Sequence, residues 1–221
     1  MVAVMVSRRR RDSGRALNRR PSFRDPSPRI LVVCEGIVTE PQYIEAFCRE
    51  ERNKLVDVEI DARGGSPKTL VERAALRKRE IEREAERLRD ENLRYDEVWC
   101  VFDIDQHPKV ADARQQARDN GIYLAISNPC FELWLLLHFS DQTAHIERKA
   151  AASLLRKYLR SYKKHVPYEL LREGYSSAVH RAQKLERMHI EIQSEGGNPS
   201  TGVFHLTERI SEFGLTSRSR K

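Results

Sequence analysis

Glu97-Val98-Trp99-Cys100-Val101-Phe102-Asp103-Ile104-Asp105 is the stretch that decides the fold. Its apolar run, Val98–Phe102, is short enough for a buried strand and stops at two aspartates. Side chains alternate along a strand, so Asp103 and Asp105 project to one side and Ile104 to the other. The same texture recurs on either side. Ile30–Cys34 is a continuous apolar run, Val56–Ala62 alternates apolar and polar residues, and Ile122–Ser127 reads as a fourth strand. Helical patterns lie between them, from Thr39 to about Glu51, from Pro67 to about Asn92, and from Pro108 to Asn120, where Gly121 stops the helix. Strands separated by helices predict an α/β fold whose mainly parallel sheet is covered on both faces.

Local signals mark the helix starts. In Thr39-Glu40-Pro41-Gln42 the threonine is expected to cap and the glutamine to reach back as its capping-box partner. Gly64-Gly65-Ser66-Pro67 turns the chain into the second helix with Ser66 as cap. That helix carries a narrow apolar stripe of Leu70, Ala74, Ile81, Ala85 and Leu88 under mixed charge, which describes a solvated outer face. After Pro129 the strand pattern disappears. Cys130–Phe139 is apolar on all sides and must pack inside, and helical patterns follow at about Lys149–Tyr162, Ser177–Ile192 and Thr201–Phe213. The expected organisation is a basic arm over 1–28, disordered for want of apolar periodicity, an α/β domain over 29–140, a helical subdomain over 141–213 and a disordered tail over 214–221.

A length of 221 residues suits one domain with an appendage or two small ones. Lysine and arginine number 40 against 33 acids, a net charge of +7, and the nine arginines and two aspartates of residues 1–29 account for all of it. The body is neutral overall, so the excess does not describe a globally basic nucleic-acid binder. The arm could hold a polyanion through salt-sensitive phosphate contacts, or serve only as a solubilising leader. Cys34, Cys48, Cys100 and Cys130 form no CxxC pair and read as buried reduced thiols. No apolar run nears the roughly 18 residues of a membrane span, and no secretion signal is evident, so a cytoplasmic protein without membrane contact is expected.

Glu35 stands at the carboxyl end of the first strand with Gly36 permitting a sharp turn. Parallel strands bring their carboxyl ends to one edge, where open α/β sheets bind ligands. Glu35, Asp103 and Asp105 are therefore expected to form an acidic triad, against the plainer reading of polar residues where buried strands meet water. Three hard oxygen donors suit Mg²⁺ or Mn²⁺ better than zinc. Such an ion beside a phosphate is the usual apparatus of phosphoryl transfer, with Glu35 placed to manage a proton or a further metal.

Three stretches resemble one family, the RloB-like proteins: Cys34-Glu35-Gly36-Ile37-Val38-Thr39-Glu40-Pro41-Gln42-Tyr43, then Phe102-Asp103-Ile104-Asp105, then Ser127-Asn128-Pro129-Cys130-Phe131-Glu132-Leu133-Trp134-Leu135-Leu136-Leu137-His138-Phe139. Asn198-Pro199-Ser200-Thr201 is similar to its closing motif, and the likeness spans roughly residues 29–213. The resemblance implies a Toprim-type, Rossmannoid catalytic domain in which a glutamate after the first strand acts as acid or base and a DxD pair binds Mg²⁺. Glu35, Asp103 and Asp105 match those roles. It also implies bacterial restriction-linked or abortive-infection loci, often with a companion ATPase.

Asn128 and Glu132 could reach the same edge as positioning groups, or Asn128 could merely cap the apolar helix. His107 either approaches a phosphate or is plain surface. Gly64-Gly65-Ser66 could offer amides to an anion or be only a capped turn, and without the GK[ST] of a P-loop it predicts no nucleotide triphosphatase. Arg148, Lys149, Arg156, Lys157, Arg160, Lys163 and Lys164 occur with no acid among them and with Tyr158 and Tyr162 interleaved, the composition of a nucleic-acid groove or of a solvated helix face. Ser176, Ser177 and His180 are expected to form no nucleophilic triad, since no acid follows at a useful spacing. The expected function is a Mg²⁺-dependent nuclease acting on DNA or RNA. The rivals are a non-catalytic partner subunit of an ATPase, or a haloacid-dehalogenase-like phosphatase, for which His107 stands where threonine or valine belongs. A homo-oligomer is left open.

Overall fold

The computed structural model describes residues 27–50, 53–104, 110–160 and 162–219, and the arm expected over 1–28 lies almost wholly outside them. The run that ends at Asp103 forms the middle of a five-stranded sheet. In chain order the elements are β1 (Arg29–Cys34), α1 (Thr39–Cys48), β2 (Asp57–Asp61), α2 (Pro67–Leu88), β3 (Glu97–Asp103), α3 (Val110–Asp119), β4 (Tyr123–Asn128), α4 (Glu132–Leu137), α5 (Arg148–Tyr158), α6 (Tyr168–Leu171), α7 (Tyr175–Glu191), β5 (Ser200–Thr201) and α8 (Val203–Ser219). Strand order is β2-β1-β3-β4-β5. The first four are parallel, and β5 runs antiparallel to β4.

Alternation divides β1 and β3 between two layers. Leu31, Val33, Val98, Cys100 and Phe102 face α2 and α3 through Leu70, Val71, Ala74, Ala113 and Ala117. Ile30, Val32, Cys34, Trp99 and Val101 face the other way, onto a core shared by α1, α4 and the later helices. All seven residues of β3 are buried, which is why its sequence is a continuous apolar run rather than an alternation. In α2 the stripe Leu70, Ala74, Ile81 and Ala85 is buried as expected, while Leu88 emerges at the last turn.

The stretch Phe131–His138 is what the helical layer closes around. Tyr43 of α1 packs edge-on against Phe131, Trp134 and His138, with ring centroids 5.8, 6.0 and 5.7 Å away, and against Tyr168 at 5.5 Å. Each large side chain so buried contributes about 1.5–3 kcal/mol. These helices share one core with the sheet face beneath them.

Three expectations need correction. Thr39 and Gln42 make no capping box. The residue before α1 is Val38, without a side-chain cap bond, and the two polar side chains reach across the fold instead. Thr39 Oγ1 donates to the Lys164 carbonyl at 3.1 Å, and Gln42 Oε1 accepts from the Val166 backbone N–H at 3.2 Å, tying the segment after α5 to the start of α1. Strand structure does not end at Pro129, because Ser200 and Thr201 pair with Asn128 and Ser127. Residues 214–219 are not a disordered tail but the last turns of α8.

Candidate active site at the strand ends

The chain crosses from one side of the sheet to the other between β1 and β3. From β1 it moves outward to β2, then returns past β1 to β3 and β4. This is the topological switch point, where the loops leaving two neighbouring strands diverge and open a crevice at their carboxyl ends. Glu35 leaves β1 there and Asp103 ends β3. The Glu35 backbone N–H still donates to the Val101 carbonyl at 2.9 Å, and Glu35 Oε2 accepts from the Asp103 backbone N–H at 2.9 Å. The two acids named from sequence are thus brought together. Asp105, like His107, lies outside the described residues.

Glu40, in the first turn of α1, adds a carboxylate that sequence reasoning missed. It is 6% exposed and lies against Gly36, where an added Cβ would come within 1.9 Å of Glu40 Oε2. Any other residue at position 36 would force that carboxylate to move. Gly64, at φ +72°, brings the turn before α2 against the Glu35 carbonyl, and Ser66 Oγ caps α2 by accepting from the Thr69 N–H. The glycine-serine turn is a capped turn beside the site.

Glu132, at the start of α4, accepts a hydrogen bond from the Tyr162 hydroxyl at 3.1 Å. Tyr162 is 4% exposed, so it positions this acid and is no stacking platform for a base. Tyr158 is half exposed but stacks on Phe139, with centroids 4.9 Å apart. Asn128 neither caps α4 nor reaches the acids, since its amide donates to the Gly196 carbonyl at 2.9 Å.

Burial and neighbouring charge show in the ionisation of Asp103 and Glu40. Burial holds the Asp103 carboxyl well above the usual carboxylate range. Glu40 pushes it further, the Arg148 guanidinium pulls it back, and Glu35 and Glu132 add smaller upward pushes. Glu40 is likewise raised, first by burial, with backbone N–H bonds opposing and the charges of Glu132 and Glu35 reinforcing. Arg148, expected on an open basic surface, forms an ion pair through Nη2 with Asp103 Oδ2. Lys149, Arg156, Lys157, Arg160, Lys163 and Lys164 are exposed, as both a nucleic-acid groove and a solvated helix face would have them.

The start of α5, and with it Arg148, is held by the closing motif. Asn198 Oδ1 accepts from the Ile146 N–H at 2.9 Å, and its amide donates to the Ile146 carbonyl at 2.8 Å. His189 Nε2 in turn bonds the Pro199 carbonyl at 2.9 Å.

Among the described residues no three His, Cys, Asp or Glu side chains stand together as a metal site. The donors are right in kind for a hard divalent cation, being carboxylates that burial first, and neighbouring acids second, raise at Asp103 and Glu40. They fall short in number without Asp105. Cys130, beside Glu132, is no soft competitor, because burial pushes its thiol far up and keeps it protonated. Elsewhere, Ser176, Ser177 and His180 line a cavity of about 370 Å³ that also contains Asp141, an acid their spacing did not reveal. Its carboxylate is taken by Arg181 at 2.6 Å rather than by the histidine.

A family model described as RloB-like protein matches residues 30–210. No curated protein and no solved structure matches. No helix among the described residues is long and apolar enough to cross a membrane.

Proposed function

The chain belongs to the RloB-like protein family, and from that membership and the acidic crevice we propose that it is a Mg²⁺- or Mn²⁺-dependent nuclease cleaving phosphodiester bonds in DNA or RNA. The observation that carries the reading is the hydrogen bond from the Asp103 N–H to Glu35 Oε2. It joins two acids across the switch point, within a crowd of carboxylates that a bound cation would relieve. Glu35 and Asp103, with Asp105 just beyond the described end of β3, would hold the ion. Bound there, it supplies charge neutralisation at the phosphoryl group.

The chain's own residues do the rest. The Asp103 amide fixes the orientation of the Glu35 carboxylate, which takes a proton from the attacking water and returns it to the leaving oxygen. Lys149, Arg156, Lys157, Arg160, Lys163 and Lys164 hold the sugar-phosphate backbone through contacts that weaken with salt. The family resemblance supports a place in bacterial anti-phage defence beside a companion ATPase.

A second reading, a non-catalytic subunit of such an ATPase, draws support from one observation: a guanidinium already occupies Asp103 Oδ2. Incubation of plasmid DNA and structured RNA with Mg²⁺ or Mn²⁺ separates the two. Cleavage by the parent and its loss in Asp103→Ala is the expected result. Undiminished cleavage by the variant overturns the assignment, and no cleavage with either metal, together with stable co-purification of an ATPase, replaces it with the second reading.

A further inference from the structure

We propose that the pocket at the amino ends of β3 and β4 is a guanidinium site, and that its occupant is an arginine of this chain's own amino-terminal arm. The proposal does not depend on the nuclease reading. A cavity of about 450 Å³ opens there, at the edge of the sheet opposite Glu35 and Asp103, between the strands and one face of α8. Its floor is aromatic. Tyr123 stacks on the buried Trp99, with centroids 4.9 Å apart and planes at 24°, yet is 51% exposed, so one face of its ring is held and the other is open. Such a face attracts a guanidinium. The fold makes that contact twice elsewhere, with Arg29 5.0 Å from the Tyr95 centroid and Arg209 4.5 Å from that of Phe213.

The walls are acidic. Glu97, Glu208 and Glu212 line the cavity with a single guanidinium, that of Arg209. Arg209 is divided between Glu97 Oε1, through Nε, and Glu212 Oε2, through Nη1 at 2.9 Å, while the Trp99 indole N–H donates to the other Glu97 oxygen at 2.9 Å. His205 is held by Glu186 at 2.8 Å. Glu208 has only a neutral partner, the Gln183 amide at 3.2 Å, and forms no ion pair among the described residues. A half-buried carboxylate without a cation, in one cavity with an open tyrosine face, is complementary to arginine, whose planar fork bonds an acid and stacks on a ring. The arm supplies that group in number and within reach. Residues 1–26 contain eight arginines, two aspartates and no lysine. The described chain starts at Ser27, and the Arg29 backbone N–H donates to Asp96 Oδ2 at 2.7 Å, so the arm joins the body beside the residue that precedes Glu97. From β1 to β4 is two strand spacings, about 10 Å, whereas the chain from Arg29 back to Arg24 spans up to about 17 Å. Tethering at that distance raises the effective concentration of the arginines to the millimolar range, which populates a contact too weak for a free ligand.

The test is phenylglyoxal labelling of the full-length chain at low salt, read arginine by arginine by mass spectrometry, with Arg87, 73% exposed on α2, as internal reference. At least one of Arg19, Arg20 and Arg24 should react about threefold more slowly in the parent than in Glu208→Gln. The gap should close at about 0.5 M salt, where exposed ion pairs are screened. Tyr123→Thr removes the ring and keeps the carboxylate, and it should abolish the same protection. Thermal melting verifies that each variant is folded, and Tyr123→Thr decides the matter if Glu208→Gln is not. Equal rates in the parent and either folded variant overturn the proposal. Protection that rises with protein concentration places the arm of a second copy in the pocket and overturns the assignment to the same chain. Each of these results leaves the nuclease reading as it stands.

Discussion

His138 gives the sharpest stability prediction. Its ring is 5% exposed, beneath Trp134 and Tyr43, with Nδ1 2.9 Å from the Trp134 carbonyl and Nε2 3.2 Å from the Tyr43 hydroxyl. One tautomer satisfies both contacts, with Nδ1–H donating to the carbonyl and Nε2 accepting from the hydroxyl. Burial lowers its pKa to about 4, with the carbonyl opposing and Arg181 reinforcing the shift. Free in the unfolded chain, the ring takes up a proton near pH 6.5. Between these values the unfolded state binds the extra proton, so stability from this group is complete above about pH 6.5 and is lost as pH falls toward about 4. Going from pH 7.5 to 4.5 should cost about 2.5 kcal/mol, or roughly 1 M in the urea midpoint. The raised carboxyls of Asp103 and Glu40 act in the opposite sense, so the quantity to measure is the difference between the parent and His138→Gln. Urea denaturation across that range should show the gap between the two shrinking by about 2.5 kcal/mol toward acid. Parallel profiles would refute the reasoning.

Other outcomes follow from single contacts. Gly36→Ala drives a methyl into the Glu40 carboxylate and should destabilise by about 1–3 kcal/mol, while the same change in a Glu40→Ala background should cost much less; thermal unfolding of the four-protein cycle measures this. Asn198→Ala leaves both backbone groups of Ile146 without their side-chain partner and should cost about 1–3 kcal/mol, with faster hydrogen exchange at the Ile146 amide as the local signature. Cys48 and Cys100 are both pushed up to about 12 by burial, so at pH 8 iodoacetamide should label the unfolded chain far faster than the folded one.

The fold was legible where the signal is a run or a period. Val98–Phe102 reads as a buried strand because it is buried along its whole length, and Leu70, Ala74, Ile81 and Ala85 read as one helix face because they are one. β5 was invisible, since two residues have no alternation to detect. The site was legible in part. That Glu35 and Asp103 both end strands follows from local pattern, but their adjacency depends on the order β2-β1-β3-β4, which no local pattern carries. Glu40 was passed over because an acid in the first turn of a helix is what the helix dipole favours anyway, and only its fit against Gly36 reveals a further role. Thr39 and Gln42 misled for a related reason. Their spacing satisfies a local rule, yet their bonding capacity is used by Lys164 and Val166, more than 120 residues away. Arg148 looked like one of seven similar cations until packing singled it out.

The grip of Asn198 on Ile146 spans 52 residues of chain and so carries a time as well as a place. At about 5–20 residues per second, a ribosome has added the glutamate and the aspartate, and adds the arginine roughly 3–10 s before it supplies the asparagine that seats the arginine's helix. Through that interval the acidic residues are present in composition but not in arrangement, and a newly made molecule acquires its guarded acidic centre only after Asn198 has been added.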